Sequence, residues 1–419
     1  MKILKMSFSH ARRLASTFLL LTFAGAASVR TDAFLAGLQP KLIRFVYGRS
    51  LEVLRSAPGA TLANQRVQLL TQASSSVETE TAYKHLNERP FGVQRRYETF
   101  LWNLSDTKQY RINYRCEGPL DGDPILLVHG FGASVNHFRY NIPLLVKEGY
   151  RVYAIDLLGF GASDKPKDEA YSIELFVQLL TDFIQDKYTE SKPWVIAGNS
   201  IGGLCSLSVA EKIPHMIQAV VLFNTSRGMS VFRYEDVPRV FRPVLRFFQK
   251  VVLGPKNGPR FFKNFKTREN VQKILISQGV YRDPKNVNDE LLEILLGPSD
   301  DEGAEDVFLA VFAGPPGPLP ETILPKLSCP ILAVWGGKDP WAPVSGGPYL
   351  SGSMFGQLTK DFTLEVLPEA GHCPHDECPE AVHEKLVPFL DAAKIRYKPP
   401  PRSLDDASLQ VGDGKKSGM

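Results

Sequence analysis

Residues 194–207 read WVIAGNSIGGLCSL. The first four residues are an apolar run typical of a buried strand, and the last four continue into a helical pattern. Between them, Gly198 and Gly202 flank Ser200 and permit a turn too tight for side chains. A strand, a tight turn and a helix in this order would expose the Ser200 hydroxyl above a sheet edge, as in a nucleophile elbow. The alternative is a glycine-rich helix start with an incidental serine.

Short apolar runs and helical patterns alternate around this turn. The runs predicted as strands are residues 97–103, 110–115, 125–128, 152–155, 194–197, 220–223, 331–335 and 363–367. Helical patterns cover residues 173–188, 204–212 and 379–390. Such alternation predicts an α/β fold with a mostly parallel sheet and helices on both faces.

The alternation stops between residues 226 and 326, where aromatic, basic and proline residues follow helical patterns. We expect this segment to be a helical cap inserted between two parts of the core, residues 95–225 and 327–396. Most of its phenylalanines should form a helical core, and some could line an apolar trough. Phe-Phe pairs next to Arg and Lys, at residues 246–250 and 260–263, predict a surface that contacts a membrane transiently.

Composition excludes several classes of protein. The 419 residues are 43% hydrophobic and 22% charged, unlike collagen-like, mucin-like or largely disordered chains. A net charge of +4, from 49 basic and 45 acidic residues, gives no reason to expect nucleic-acid binding. The five cysteines form no disulfide framework and suggest a reducing compartment. The spacing of Cys373 and Cys378 is not that of a zinc knuckle, so no metal is expected there.

The N-terminus has the character of a targeting leader. Basic residues precede an apolar stretch at residues 14–27, which predicts a signal peptide over residues 1–33. Residues 34–80 begin with Phe34, and up to residue 76 they are basic, with Glu52 as the single acid, which is transit-peptide composition. Together they resemble the bipartite leader of algae with secondary plastids. Simple secretion with a disordered pro-segment is the alternative. Residues 397–419 are predicted to be a disordered tail.

A serine nucleophile needs a base that is oriented by an acid, and in this type of fold the base comes last in the chain. His372 fits best, because it lies in a loop just after the last predicted strand. His375 and His383 are alternatives, although His383 falls in a helical pattern. Asp339 is the candidate acid in the glycine turn after residues 331–335, and its alternative is an ordinary turn aspartate.

Developing negative charge on the substrate requires two backbone donors. The amide of Ile201, directly after the serine, is one candidate. The amide of Phe131, in the loop after residues 125–128, is the other. The loop at residues 156–164 is interpreted as a structural turn beside the site.

The chain from about residue 110 to residue 390 resembles the α/β-hydrolase superfamily. The turn at 198–203, the run GPPGP at 314–318 and the run GHCPHDE at 371–377 are more narrowly similar to the plastid hydrolases that include pheophytinase and chlorophyll dephytylase. The resemblance implies hydrolysis of the phytyl ester of chlorophyll or a derivative in the plastid, near the thylakoid. Ser200, Asp339 and His372 fall on the matching family positions, and no cofactor is implied.

Two other functions remain open. The same residues would serve a plastid lipid esterase or thioesterase acting on another small or lipid-like ester. A ligand-binding receptor with a hydrolase fold would keep the scaffold and turn over slowly or not at all. Serine at the elbow disfavours epoxide hydrolase and haloalkane dehalogenase chemistry, which uses an aspartate there.

Overall fold

The computed structural model describes residues 97–188, 192–229, 239, 242–345 and 352–396. The predicted signal peptide (1–33), the transit leader (34–80) and the tail (397–419) lie outside these residues. In the described part of the chain, no helix combines the length and apolar character needed to cross a bilayer.

An eight-stranded sheet forms the centre of the fold. The strands are β1 (Tyr97–Ser105), β2 (Lys108–Glu117), β3 (Pro124–Val128), β4 (Arg151–Ile155), β5 (Trp194–Asn199), β6 (Ile217–Phe223), β7 (Ile331–Gly336) and β8 (Phe362–Leu367). Their order in the sheet is β1-β2-β4-β3-β5-β6-β7-β8. Strands β1 and β2 pair antiparallel, β2 pairs antiparallel with β4, and the remaining strands are parallel. The predicted mostly parallel sheet is therefore confirmed.

The helices are α1 (Asn141–Lys147), α2 (Ile173–Lys187), α3 (Ile201–Lys212), α4 (Arg242–Phe247), α5 (Gly258–Phe265), α6 (Arg268–Ser277), α7 (Asp289–Leu296), α8 (Ala304–Ala313), α9 (Pro320–Ile323), α10 (Gly352–Phe355), α11 (Pro374–Glu377) and α12 (Pro379–Arg396). Shorter turns are 3-10 helical at Val135–Phe138, Pro284–Asn286, Gly297–Asp300 and Leu324–Lys326, and π-helical at Phe248–Val252.

Helices cover both faces of the sheet. Ile196 of β5 packs in one apolar cluster with α2 and α3, whereas its neighbour Val195 packs in another with α1 and α12. Successive strand residues point to opposite faces, so a strand covered on both sides needs an uninterrupted apolar run. This explains why β5 is wholly buried.

The described residues between β6 and β7, apart from the loop 224–229 and the isolated residue 239, form helices α4 to α9 and their connecting turns. Phe262 of α5 packs against Phe308 of α8, with ring centroids 5.0 Å apart, and is only 5% exposed. The expectation that the Phe pair at 261–262 faces a membrane is therefore wrong for Phe262, because α5 turns this ring toward α8. Phe247 of α4, by contrast, is 55% exposed.

Candidate active site

Ser200 occupies a strained turn between β5 and α3. Its backbone has φ 54° and ψ −116°, a conformation that residues with a side chain rarely adopt. The backbone N–H of Ser200 donates to the carbonyl of Phe223 at 3.0 Å. A Cβ at Gly198 would lie 2.2 Å from the backbone of Gly202. A side chain cannot fit there, so the glycine supplies the close approach that the turn requires.

Helix α3 begins at Ile201, three residues earlier than predicted. Its first turn therefore follows Ser200 directly, and the unpaired N–H groups of a helix N-terminus favour negative charge nearby. A Cβ at Gly202 would lie 2.2 Å from the carbonyl oxygen of Val128. The absence of a side chain there lets the helix start pack tightly against the end of β3.

His372 and Asp339 form a buried pair. His372 Nδ1 lies 2.7 Å from Asp339 Oδ2, and the two residues are 4% and 5% exposed. Asp339 follows β7 and His372 follows β8, which are parallel neighbours in the sheet. The carboxyl ends of parallel neighbours meet at one edge, and this adjacency brings together two residues far apart in the chain.

Two further donors hold the carboxylate of Asp339. Asn224 Nδ2 donates to Oδ2 at 2.6 Å, and the backbone N–H of Trp341 donates to Oδ1 at 2.8 Å. Burial by itself would raise the pKa of Asp339, but the adjacent His372 and the hydrogen bonds lower the pKa below its usual value. An ionised carboxylate only accepts, so Nδ1 of His372 carries the hydrogen and Nε2 can accept a proton.

Asn199 connects the serine turn to the histidine loop. Its Nδ2 donates to the carbonyl of His372 at 3.1 Å and to the carbonyl of Phe223 at 3.0 Å. Because Asn199 directly precedes Ser200, this side chain joins the backbone around the serine to the backbone around the histidine. The structure thus brings Ser200, Asp339 and His372 to the same edge of the sheet.

The loop after β3 touches the serine turn. A Cβ at Gly130 would lie 3.3 Å from Ser200 Cβ, so the loop that carries Phe131 runs alongside the serine. His129 holds this loop: its Nδ1 lies 2.7 Å from the carbonyl of Gly130, and its Nε2 accepts from Leu157 N at 3.0 Å. Burial lowers the pKa of His129 despite the nearby Asp156. A neutral ring, with hydrogen on Nδ1, satisfies both contacts.

Aromatic rings border the site. Phe131 contacts the cap through Phe308 and Phe312, at centroid distances of 5.2 and 6.2 Å. The ring of Trp341 lies edge-on to His372, 5.0 Å away, and is 38% exposed. Phe308 and Phe312 are themselves buried in the core of the cap, so Phe131 and Trp341 are the aromatic residues that lie beside the polar centre.

The other candidate histidines lie elsewhere. His383 is on α12, and its Nε2 lies 3.4 Å from Glu148 Oε1. His375 is on α11, fully buried, and its ring packs 4.7 Å from that of His137.

Several functional neighbours escaped the sequence analysis. Asn224 follows β6 with φ 46°, and its position after a strand at this edge was a usable signal. His129 begins the loop after residues 125–128 and Trp341 follows Asp339 by two residues, but the contacts of their rings with Leu157 and His372 depend on distant segments.

Comparisons with known proteins agree with this architecture. The profile of the alpha/beta hydrolase fold family matches residues 123–379. Lipase 3 of Moraxella sp. (strain TA144) is 25% identical over 65% of this chain and 79% of its own. The chloroplastic pheophytinase of Arabidopsis thaliana is 26% identical over 65% of this chain and 62% of its own. A solved serine hydrolase involved in carbazole degradation shares the fold, with a TM-score of 0.54 and 24% identity over 71% of this chain and all (100%) of that chain. The chain therefore belongs to the alpha/beta hydrolase fold family and is a hydrolase.

Proposed function

We propose that this hydrolase cleaves a carboxylic ester through an acyl-enzyme formed on Ser200. The observation that carries the proposal is the 2.7 Å contact between His372 Nδ1 and Asp339 Oδ2, in a loop that Asn199 ties to the serine turn. A neutral imidazole with its Nδ1–H directed at a carboxylate is the base that a serine nucleophile requires.

The proposed reaction has two halves. Ser200 Oγ bonds to the ester carbonyl carbon while its proton passes to His372 Nε2, and the carbonyl oxygen becomes an oxyanion. The amides of Phe131 and Ile201 stabilise that charge in the proposal. Collapse breaks the carbon–oxygen bond to the alcohol, which takes the proton from the imidazolium. Water then repeats the sequence on the acyl-enzyme and releases the acid.

Labelling with a fluorophosphonate probe tests this assignment. We expect stoichiometric labelling of the wild type, and a loss of about 10³-fold or more in labelling rate for Ser200→Ala and His372→Ala. His383→Ala is the matched control and should label normally. An unlabelled wild type would favour the receptor function, and labelling that survives Ser200→Ala would overturn the assignment of the nucleophile.

We further propose the phytyl ester of chlorophyll or a derivative as the substrate. The support is the position of Phe131 in the loop beside Ser200 and of Trp341 against His372, together with the similarity to a pheophytinase. A phytyl chain has about 20 carbons, and at ~0.8 kcal/mol per buried CH₂ its transfer from water could contribute up to ~16 kcal/mol. Measured affinities fall well below such sums, but the driving force favours apolar residues at such positions.

A lipid esterase or thioesterase is the second candidate, favoured by the similarity to a bacterial lipase. Chlorophyll, pheophytin, a galactolipid and an acyl thioester should be incubated in parallel, with Ser200→Ala as the blank. Release of phytol by the wild type alone supports the pigment assignment. Fatty-acid or thiol release with no phytol would replace it by the second candidate.

We also propose contact with a membrane through the segment 242–252. Phe247 and Val251 are four residues apart and are 55% and 40% exposed, and the segment also carries Arg246 and Lys250. Apolar side chains beside basic ones suit an anionic lipid surface. Phe247→Asp combined with Val251→Asp should abolish flotation with anionic vesicles, whereas Met354→Asp, at an exposed site on α10, should not. No flotation of the wild type would refute the contact.

We propose the plastid as the location, with secretion as the alternative. The support is the composition of residues 1–80. Fusing these residues to a fluorescent protein in an alga with a secondary plastid tests it, because fluorescence in the medium or secretory pathway alone would refute plastid targeting.

A further inference from the structure

We infer that Glu377 is a positioning residue: it holds His372 in place by joining the loop that carries this base, the loop of the base, to the cap. The inference rests on the proposed function, in which His372 is the base. Glu377 ends the short helix α11, five residues after His372, and is buried. The proposed reaction makes no direct use of its carboxylate.

Both carboxylate oxygens of Glu377 accept backbone hydrogen bonds from two separate segments. Oε2 accepts from the N–H of Gly371, the residue before His372, at 2.6 Å. Oε1 accepts from the N–H of Asp283 at 2.9 Å and from the N–H of Arg282. Hydrogen bonds to a buried ionised carboxylate are stronger than those between neutral groups. One side chain therefore bridges the loop of the base and the cap segment between α6 and α7.

Direct contact between the two segments makes the bridge tight. The N–H of His372 donates to the carbonyl of Val280 at 2.8 Å. A Cβ at Gly371 would lie 2.1 Å from that same carbonyl oxygen. The loop of the base thus packs directly against the cap. The backbone of His372 is held on one side by the carbonyl of Val280 in the cap and on the other by the side chain of Asn199 in β5.

The cap segment is itself anchored to the core beside this bridge. Arg139 Nε donates to Asp376 Oδ1 at 2.8 Å, and its Nη1 donates to Glu290 Oε2 at 3.0 Å. The hydroxyl of Tyr281 donates to Asp376 Oδ2 at 2.9 Å. Glu290 and Tyr281 thus join the cap segment to Arg139 and Asp376, a buried charged pair of the core, so this part of the cap supports the loop of the base.

Glu377→Gln isolates the role of the carboxylate. The amide has nearly the same shape, but its NH₂ group must face either the N–H of Gly371 or the N–H groups of Arg282 and Asp283. Two donors cannot pair, so one side of the bridge is lost. The imidazole of His372 then loses its fixed direction toward Ser200, while the residues that bind substrate stay in place.

The experiment is a double-mutant cycle between Glu377→Gln and Asp339→Asn. In the wild-type background, we expect Glu377→Gln to lower kcat for a short-chain ester by about 10–100-fold, a typical cost of misplacing a catalytic group, with KM changed less than about threefold. In the Asp339→Asn background, where His372 has already lost its carboxylate partner, the same change should cost less than about threefold. Glu384→Gln, an exposed site on α12, is the matched control and should be neutral in both backgrounds.

A purely structural role predicts a different pattern. It would lower activity by the same factor in both backgrounds, or would raise KM with kcat unchanged, and either result overturns the inference, as does full activity of Glu377→Gln. Should Glu377→Gln fail to fold, Glu377→Asp goes through the same cycle, because the shorter side chain keeps the charge but cannot reach both segments. If Ser200→Ala and Asp339→Asn leave activity intact, the proposed function fails; if each lowers it by about 10³-fold or more while Glu377→Gln leaves it unchanged, only the positioning role fails.

Discussion

Asp339 Oδ2 lies 2.7 Å from His372 Nδ1, and this buried hydrogen bond connects the loops that follow two neighbouring parallel strands. Asn224 Nδ2 and the backbone N–H of Trp341 also donate to the carboxylate. The acid is thus held by its own loop and by two other segments of the chain, and its direction toward the imidazole is set by the tertiary structure around it.

Replacing Asp339 by asparagine should leave the fold and the affinity for substrate nearly intact and lower kcat by about 10³–10⁴-fold. The neutral amide no longer stabilises the imidazolium, and where its NH₂ group faces His372 Nδ1 the ring hydrogen moves to Nε2 and the acceptor is lost. Single-turnover acylation measures the loss. Asp391→Asn, on an exposed part of α12, is the control and should acylate normally; an equal rate for Asp339→Asn would contradict the assignment of the acid.

Removing the side chain of Asn224 should weaken both stability and catalysis. The residue donates to Asp339 and accepts from Gly336 N at 2.9 Å, while its backbone has φ 46°. Asn224→Ala should lose about 1–3 kcal/mol of unfolding free energy, because buried partners are left unpaired. Urea titration measures this loss.

Asn224→Gly separates the backbone from the side chain, since glycine adopts a positive φ freely. It should recover part of the stability lost in Asn224→Ala and stay about tenfold or more below wild type in kcat, the order of loss expected when a catalytic group is misplaced. Wild-type activity in Asn224→Gly would show that the amide does not orient Asp339.

A methyl group at Gly202 should destabilise the fold. The added Cβ would lie 2.2 Å from the carbonyl oxygen of Val128, and backbone cannot yield as a flexible side chain does. Overpacking of this kind typically costs ~1–3 kcal/mol. Gly297→Ala is the matched control, because a Cβ there meets nothing within 4 Å. Equal denaturation midpoints for the two variants would contradict the close approach of α3 to β3.

His375 should make the protein lose stability as the pH falls below about 6.5, the usual histidine pKa. Burial, followed by the nearby His137, His372 and Arg139, lowers the pKa of His375 well below its usual value. The folded state therefore keeps this ring neutral while the unfolded chain binds a proton. The unfolding free energy is unaffected by His375 above the pKa that this residue has in the unfolded chain. It falls as the pH drops from that value toward the pKa of His375 in the folded protein.

His375→Phe should remove this contribution. Neither ring nitrogen has a hydrogen-bond partner among the described residues, and the ring stacks on Phe223. Between pH 6 and 5 the unfolding free energy of the wild type should fall more steeply than that of the variant, by up to about 1.4 kcal/mol per pH unit. His137, whose pKa burial lowers to about 4, remains in both proteins. Parallel urea titrations at each pH measure the slopes, and identical slopes would contradict the prediction.

The strands and the serine turn were predictable from the sequence because their signals are local. A fully buried strand needs an unbroken apolar run, and β5, β6 and β7 each show one. A backbone approach too close for a Cβ needs glycine, which marked Gly198 and Gly202 on either side of Ser200. The order of serine, acid and histidine along the chain then singled out Asp339 and His372.

The contacts that support the site depend on segments far apart in the chain, so no local pattern reports them. Glu377 meets Arg282 and Asp283 across 95 and 94 positions, and Asn199 meets His372 across 173. Phe262 has basic neighbours, as a membrane-interface aromatic residue would, yet helix α5 directs its ring toward the interior of the cap. The sequence determines the chemistry of each side chain. The packing of helices and strands decides which side chains are buried together, because burial and hydrogen bonding depend on neighbours that come from distant parts of the chain.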